Sequence, residues 1–276
     1  MSSNIIRETW LGFNEIKYLV VLGDSYSDVG YHAQPRSRPT LENPLGVSFP
    51  GLTYNEEDQP NWVGHLLKKR DANRPLLVYD YAVGGHTVDG IRYQVRSKYV
   101  QDVGTKPDWA PWTAQDALFV IWIGINDCSW IYDYLGTDVG QIETYQQRLF
   151  QYVKEVYDTG ARNFLFIEVP PMERAPGLSQ ANTEARAEGY NNWNLALHSK
   201  VSNFASEHSD VTAMVFPVHE LFRTVLDSPA VFNLDASTVN DEGGSVWFDS
   251  IHITSQMHRV VADGLIEFLD RQIPAT

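Results

Sequence analysis

Five short runs along the chain are almost continuously apolar: Lys17 to Leu22, Leu76 to Val83, Ala117 to Ile125, Asn163 to Val169 and Val211 to Val218. They are rich in Val, Ile, Phe and Tyr and mostly lack alternation with polar residues. That pattern suits parallel strands covered on both faces. Between them, apolar residues recur at spacings of three and four. One series is Ile142, Tyr145, Leu149, Val153 and Val156; a second is Trp193, Leu197, Val201 and Phe204; a third is Met257, Val261, Leu265 and Phe268. Each marks the apolar face of an amphipathic helix, so these aromatics read as core rather than as a cofactor box. Strands alternating with helices predict βαβ units and one parallel sheet. Five such strands fit an α/β, flavodoxin-like, three-layer α/β/α sandwich.

The chain carries no internal repeat and no low-complexity linker, so residues 1–276 are expected to form a single domain. Two irregular stretches, Tyr31 to Pro60 and Asp227 to Trp247, are long for a compact domain, and loops of that length are usually functional or mobile. The first follows the first strand and the second precedes the last helix. Both are expected to reach the carboxyl edge of the sheet, where α/β folds bind ligands. Phe49 and Tyr54, in the first, are candidate walls for a substrate.

Composition narrows the function classes. Hydrophobic residues make up 43% of the 276, enough for a sizeable core, and 35 acidic against 21 basic residues leave a formal net charge of −14. Such a chain repels nucleic acid and anionic membranes unless it hides a basic patch. The densest basic run, Lys68 to Arg70, reads as a solvated helix end. The one cysteine, Cys128, excludes an internal disulfide and a multi-cysteine zinc site, and is expected to be packed and inert. The N-terminus lacks the apolar core of a signal peptide, and no run of about twenty apolar residues offers a membrane span. The expectation is a soluble cytoplasmic protein, or a secreted one if the chain is a trimmed mature form.

The chemistry concentrates where the apolar runs end. "GDSYSDVG" closes the first, "YAVGGHTVDG" the second and "IWIGINDCSW" the third, while "WFDSIHITSQ" stands just before the last helix. Strand ends on one edge of a doubly wound sheet converge, so Ser25, Gly84–Gly85, Asn126, Asp249 and His252 are expected to meet. A serine hydroxyl needs a base to become a nucleophile. Histidine suits that task near neutral pH, and a carboxylate on its other nitrogen fixes the tautomer. Asp249 and His252, three residues apart, can form such a pair locally. The oxyanion of a tetrahedral intermediate needs donors. Candidates are the Ser25 N–H, a glycine N–H at Gly84 or Gly85, and the Asn126 amide. Each piece alone also has a bland reading as a turn or, for Asn126–Asp127, as a helix cap. Their joint occurrence in chain order carries the argument.

These four blocks resemble those of the SGNH hydrolases, also called GDSL esterases and lipases. On that resemblance Ser25 is the nucleophile, Gly85 (with Gly84 the neighbouring option) and Asn126 are oxyanion donors, and Asp249 and His252 complete the triad. The segments "NPLGVSFPG", "NWVGHLL", "IWIGINDC" and "GARNFLFIEVPPMERAP" are more specific. They resemble the fungal acetylesterases of carbohydrate esterase family 16. The resemblance implies an SGNH hydrolase domain that hydrolyses acetyl esters of sugars, such as xylan-derived oligosaccharides. It implies no metal and no organic cofactor; the expected partner is a small-molecule or oligosaccharide ester. Two features depart from that pattern: many members carry a secretion signal, and His86 stands where a small residue is usual, either lining the pocket or facing away from it. Ser25 lies very early in the chain and outside a Gly-x-Ser-x-Gly elbow, so the α/β-hydrolase fold is rejected. Three rival readings remain: a lipase, phospholipase or thioesterase acting on longer acyl chains, a catalytically inactive carbohydrate-binding protein, and a metal-dependent deacetylase. No ligand-spaced histidine set supports the last.

Overall fold

The structure, a computed structural model, describes residues 4–134, 139–178 and 183–275. Five strands, β1 (Tyr18–Gly23), β2 (Leu77–Asp80), β3 (Ala117–Trp122), β4 (Asn163–Ile167) and β5 (Thr212–Phe216), form one sheet in the order β2-β1-β3-β4-β5. All four pairings are parallel. Nearly every strand residue is buried, as continuous apolar runs require when helices cover both faces. The helices are α1 (Trp62–Lys69), α2 (Val88–Tyr93), α3 (Ile125–Tyr134), α4 (Val139–Asp158), α5 (Thr183–Glu207), α6 (Val218–Asp227) and α7 (Ser255–Asp270). α1 packs on α7, while α4 packs on both α2 and α5, making the two outer layers. Among the described residues, no helix is long and apolar enough to cross a membrane.

The three helices marked by periodicity appear as α4, α5 and α7, and their apolar faces are buried or half-buried. α1, α2, α3 and α6, of 8, 6, 10 and 10 residues, were not marked, because fewer than three turns give a period too few repeats to register. Four strands, β2 to β5, are shorter than their apolar runs, and for β5 and β3 the reason is local. Pro217 has no N–H to continue β5, and Ile125, at the end of the third run, opens α3 instead of closing β3. β2 formally ends at Asp80, yet the N–H groups of Tyr81 and Val83 still donate to the carbonyls of Val21 and Gly23, at 2.8 and 3.3 Å. The segment therefore stays alongside β1 as far as the double glycine.

One expectation is corrected. Lys68 and Lys69 are exposed, but Arg70 is half-buried: its guanidinium donates to the carbonyls of Phe13, Asn14, Ile16 and Arg74, tying the end of α1 to the segment before β1. Lys69 pairs with Asp263 of α7. The second long loop packs on α6 and the start of α7, through Trp247 against Phe222 and Gln256 donating to the Asn233 carbonyl.

Strand order places the chemistry. β1 lies between β2 and β3, so residues just past the carboxyl ends of these three strands are neighbours, at the crevice where such sheets reverse direction. Asp80 closes β2 as a buried carboxyl, and past the ends of β1 and β3 two more are buried, Asp24 and Asp127. Desolvation pushes each of these two up to about 7, against hydrogen bonds from the N–H of Tyr26 on Asp24 and of Val88 on Asp127. Asp127 thus caps α2 rather than its own helix, its two oxygens lying 3.0 and 3.2 Å from the Val88 nitrogen.

Two predictions follow from this packing. Phe164, fully buried in β4 against Phe119 and Phe204, should cost about 3–5 kcal/mol on truncation to Ala; urea unfolding checks the value. Between the ordinary carboxyl range and pH 7, the folded chain retains protons on Asp24 and Asp127 that the unfolded chain has released. Stability should therefore fall as pH rises through that window, and Asp127→Asn should flatten the slope, as thermal unfolding across pH 5–8 would register.

Candidate active site

Gly23 ends β1 opposite Trp122 of β3. A Cβ at Gly23 would lie 2.7 Å from the Trp122 carbonyl oxygen, so only glycine lets the strands approach this closely. The chain then turns. The Asp24 carbonyl accepts the N–H groups of Ser27 and Asp28, both at 3.0 Å, and Asp24 Oδ1 accepts the Tyr26 N–H at 3.1 Å. This turn presents Ser25, 7% exposed, at its rim. Asn61 clamps the turn from outside. Its Nδ2 donates to the carbonyls of Ser27 and Asp28 at 2.8 and 3.1 Å, while its Oδ1 caps the N-terminus of α1.

The histidine arrives from the other end of the chain. Trp247 and Ile253 form an antiparallel bridge, and the N–H of Phe248 donates to the His252 carbonyl at 2.8 Å, closing a tight loop. Inside it, Asp249 Oδ1 accepts the N–H groups of Ile251 and His252 at 2.9 and 2.7 Å. Asp249 Oδ2 accepts a hydrogen bond from His252 Nδ1 at 2.7 Å, and His252 Nε2 lies 2.9 Å from Ser25 Oγ. With Nδ1 donating, Nε2 is the acceptor for the serine hydroxyl. Partial burial opposes the charge on Asp249, but the N–H bonds from His252 and Ile251 and the imidazole contact outweigh it and hold the carboxyl below its ordinary range. α7 begins only at Ser255, capped by Thr254, so Asp249 and His252 belong to the loop rather than to a helix start.

Tyr26, the residue after Ser25, joins the two ends. Its hydroxyl donates to the Ile251 carbonyl at 2.6 Å, from a site packed between Trp122 and His258.

The remaining candidates lie past β2 and β3. Gly84 and Gly85 are distinguished by Asp28, whose Oδ2 accepts the Gly84 N–H at 2.8 Å. No acceptor among the described residues takes the Gly85 N–H. Gly85 has φ of +78°, a left-handed conformation that glycine adopts without strain, and a Cβ there would meet nothing within 4 Å, leaving open space above it. Asn126, the second residue of α3, uses one amide hydrogen on the His86 carbonyl at 2.9 Å. An amide nitrogen carries two, so one remains. The half-buried His86 ring bonds through Nδ1 to Gln94 Nε2, 2.9 Å away.

Tyr54 from the first long loop lies across the mouth, its ring centroid 5.2 Å from that of His252 and its hydroxyl over Gly84. Cys128 is fully buried, and desolvation pushes its thiol up. Asp28 and Asn61 lie inside the quoted segments "GDSYSDVG" and "NWVGHLL" without a role being read for them, and Gln94 lies in none: each acts through contacts with residues remote in the chain. The second aspartate of "GDSYSD" was the nearest thing to a signal.

The acetylesterase of Thermothelomyces thermophilus is 32% identical over 274 residues, covering 91% of this chain and 87% of that protein. The acetylesterase of Hypocrea jecorina is 24% identical over 172 residues, covering 56% and 48%. Among solved structures, a mutant acetyl-xylooligosaccharide esterase from Geobacillus Stearmophilus superposes with a TM-score of 0.57 at 17% identity, covering 94% of this chain and 97% of that one. An acetyl xylan esterase superposes with a TM-score of 0.52 at 15% identity, covering 91% and 99%. These two likenesses bear on the fold, which is that of the SGNH hydrolases. Residues 19–265, from β1 to within α7, match the GDSL-like lipase/acylhydrolase family, and the chain belongs to it.

Proposed function

We propose that the chain is a serine esterase that hydrolyses acetyl esters of carbohydrates, such as acetylated xylo-oligosaccharides. The observation that carries this reading is the unbroken line of hydrogen bonds from Asp249 through His252 to Ser25. The acetylesterase relative, matched over most of its length, supports acetyl as the acyl group.

In this reading His252 Nε2 takes the Ser25 proton as Oγ attacks the acetyl carbonyl carbon. Asp249 holds the proton on Nδ1 and stabilises the imidazolium that forms. The carbonyl oxygen becomes an oxyanion, met by the N–H groups of Ser25 and Gly85 and by the second amide hydrogen of Asn126. The C–O bond to the sugar then breaks, and His252 passes its proton to the departing alcohol oxygen. That leaves acetyl on Ser25 and a free sugar hydroxyl. Water, deprotonated by His252, attacks the acetyl-serine, releases acetate and returns the proton to Ser25 Oγ. The alcohol departs beside His252 Nε2, the side on which the Tyr54 ring offers a partly exposed apolar face.

The energetic demand falls on the oxyanion donors, each worth roughly 3 kcal/mol in the transition state. Both backbone donors follow directly from strand ends, so the sheet sets their positions before substrate arrives.

Two measurements test this. Turnover of 4-nitrophenyl acetate should drop by roughly 10⁴- to 10⁶-fold in Ser25→Ala; equal rates in the two proteins would end the reading. Across a series of 4-nitrophenyl esters from acetyl to decanoyl, kcat/KM should peak at acetyl, with acetate released from acetylated xylo-oligosaccharides. A maximum at long chains would reassign the substrate to lipid-like or thioester acyl groups.

A further inference from the structure

Gln94 is a fully buried glutamine with no place in the chemistry described above. Its carboxamide pairs both backbone groups of Gly23. Oε1 accepts the Gly23 N–H at 3.0 Å, and Nε2 donates to the Gly23 carbonyl at 2.7 Å. The second Nε2 hydrogen points to His86 Nδ1, 2.9 Å away. Turning the amide over would set NH₂ against the Gly23 N–H and oxygen against the Gly23 carbonyl, so its orientation is fixed. His86 Nδ1 is therefore an acceptor, and the neutral ring carries its proton on Nε2. The ring has a built seat. It lies against Gly90 of α2, where a Cβ would come within 2.4 Å of the His86 Cγ, and Tyr93 meets it edge-on at 6.4 Å. Gln94 opens a π-helical turn, Gln94–Lys98, directly after α2; such turns recur at functional sites.

These bonds link three segments. Gly23 precedes Ser25 by two residues. His86 follows Gly85 directly. The His86 carbonyl accepts the Asn126 amide at 2.9 Å. The three donors assigned to the oxyanion thus come from the ends of β1, β2 and β3, linked through the Gln94 carboxamide and through the ring and backbone carbonyl of His86.

We propose that Gln94 and His86 form a positioning pair that sets the spacing of the Ser25, Gly85 and Asn126 donors. Neither is a catalytic residue: Gln94 acts on the nucleophile turn through Gly23, and His86 acts on Gly85 and Asn126 through the backbone. This inference rests on the reading of the site given under Proposed function.

The pair should be visible in kcat rather than KM, because the oxyanion charge exists only in the transition state. Gln94→Met keeps the length of the side chain and loses all three hydrogen bonds. It should lower kcat on 4-nitrophenyl acetate by roughly 10- to 100-fold, the scale of a displacement near 1 Å, with KM within a few-fold. Phosphorylation of Ser25 by diethyl 4-nitrophenyl phosphate should slow in proportion, since that reaction also develops charge on oxygen. His86→Leu should show the same loss from a half-exposed position that tolerates change. His86→Asn should restore kcat, because its Oδ1 can accept the Gln94 donor where Nδ1 did.

Equal kcat in His86→Leu and His86→Asn would overturn the pair, as would a folded Gln94→Met with wild-type kcat. Ser25→Ala is the control. If it is inactive while Gln94→Met is fully active, only the pair fails; if it is fully active, the site itself has been misassigned and the pair falls with it.

Discussion

The contact between Ser25 Oγ and His252 Nε2 joins residues 227 positions apart, and the arrangement of the site depends on it. One hydrogen bond contributes about 1 kcal/mol net. Closing a flexible loop of that length costs about 5 kcal/mol before any contact is rewarded. The bond therefore cannot assemble the site; the sheet must do so first. β1 pairs on both sides before Ser25 is displayed, and α7 packs on α1 to carry the Asp249–His252 loop back to it. The Tyr26 hydroxyl on the Ile251 carbonyl then sets the final approach, from the residue beside the serine to a residue beside the histidine.

The same constraint accounts for the polar groups buried under the site. A doubly wound sheet turns its chain at the carboxyl edge, and each turn leaves backbone groups that pairing no longer satisfies. Asn61 serves the turn after β1, Asp28 serves Gly84 after β2, and Gln94 serves Gly23 itself. The Gly85 N–H stands apart from these, in a left-handed turn with open space above it. Asp24 and Asp127, both buried and both pushed up, show what such crowding costs: carboxyls ordinarily charged at neutral pH are held close to neutralisation by desolvation.

The five strands were legible because parallel strands buried on both faces leave uninterrupted apolar runs, and α4, α5 and α7 because they are long enough to repeat a period. Ser25, Asn126, Asp249 and His252 were legible because each breaks an apolar pattern with a reactive or donor group at its boundary. Gln94 was not: it sits in a stretch with no apolar run to interrupt, and nothing in "RYQVRS" distinguishes a glutamine aimed at a strand end from one aimed at water. Lys68 to Arg70 misled for a similar reason. A charged run gives no hint that one guanidinium will collect carbonyls from a segment more than fifty residues earlier.

The sequence by itself determined the parallel α/β class, the glycine that ends β1 and the local Asp249–His252 pairing. Each of these depends on steric or hydrogen-bonding preferences acting over a few residues. Tertiary structure alone gave the Gly84 N–H to Asp28 while leaving the Gly85 N–H open, set the His86 ring against Gln94, and recruited Asn61 and Tyr26. Those outcomes turn on which buried donor meets which acceptor across the sheet edge, and hydrogen-bond satisfaction between segments remote in the chain leaves no local trace in the residues that provide it.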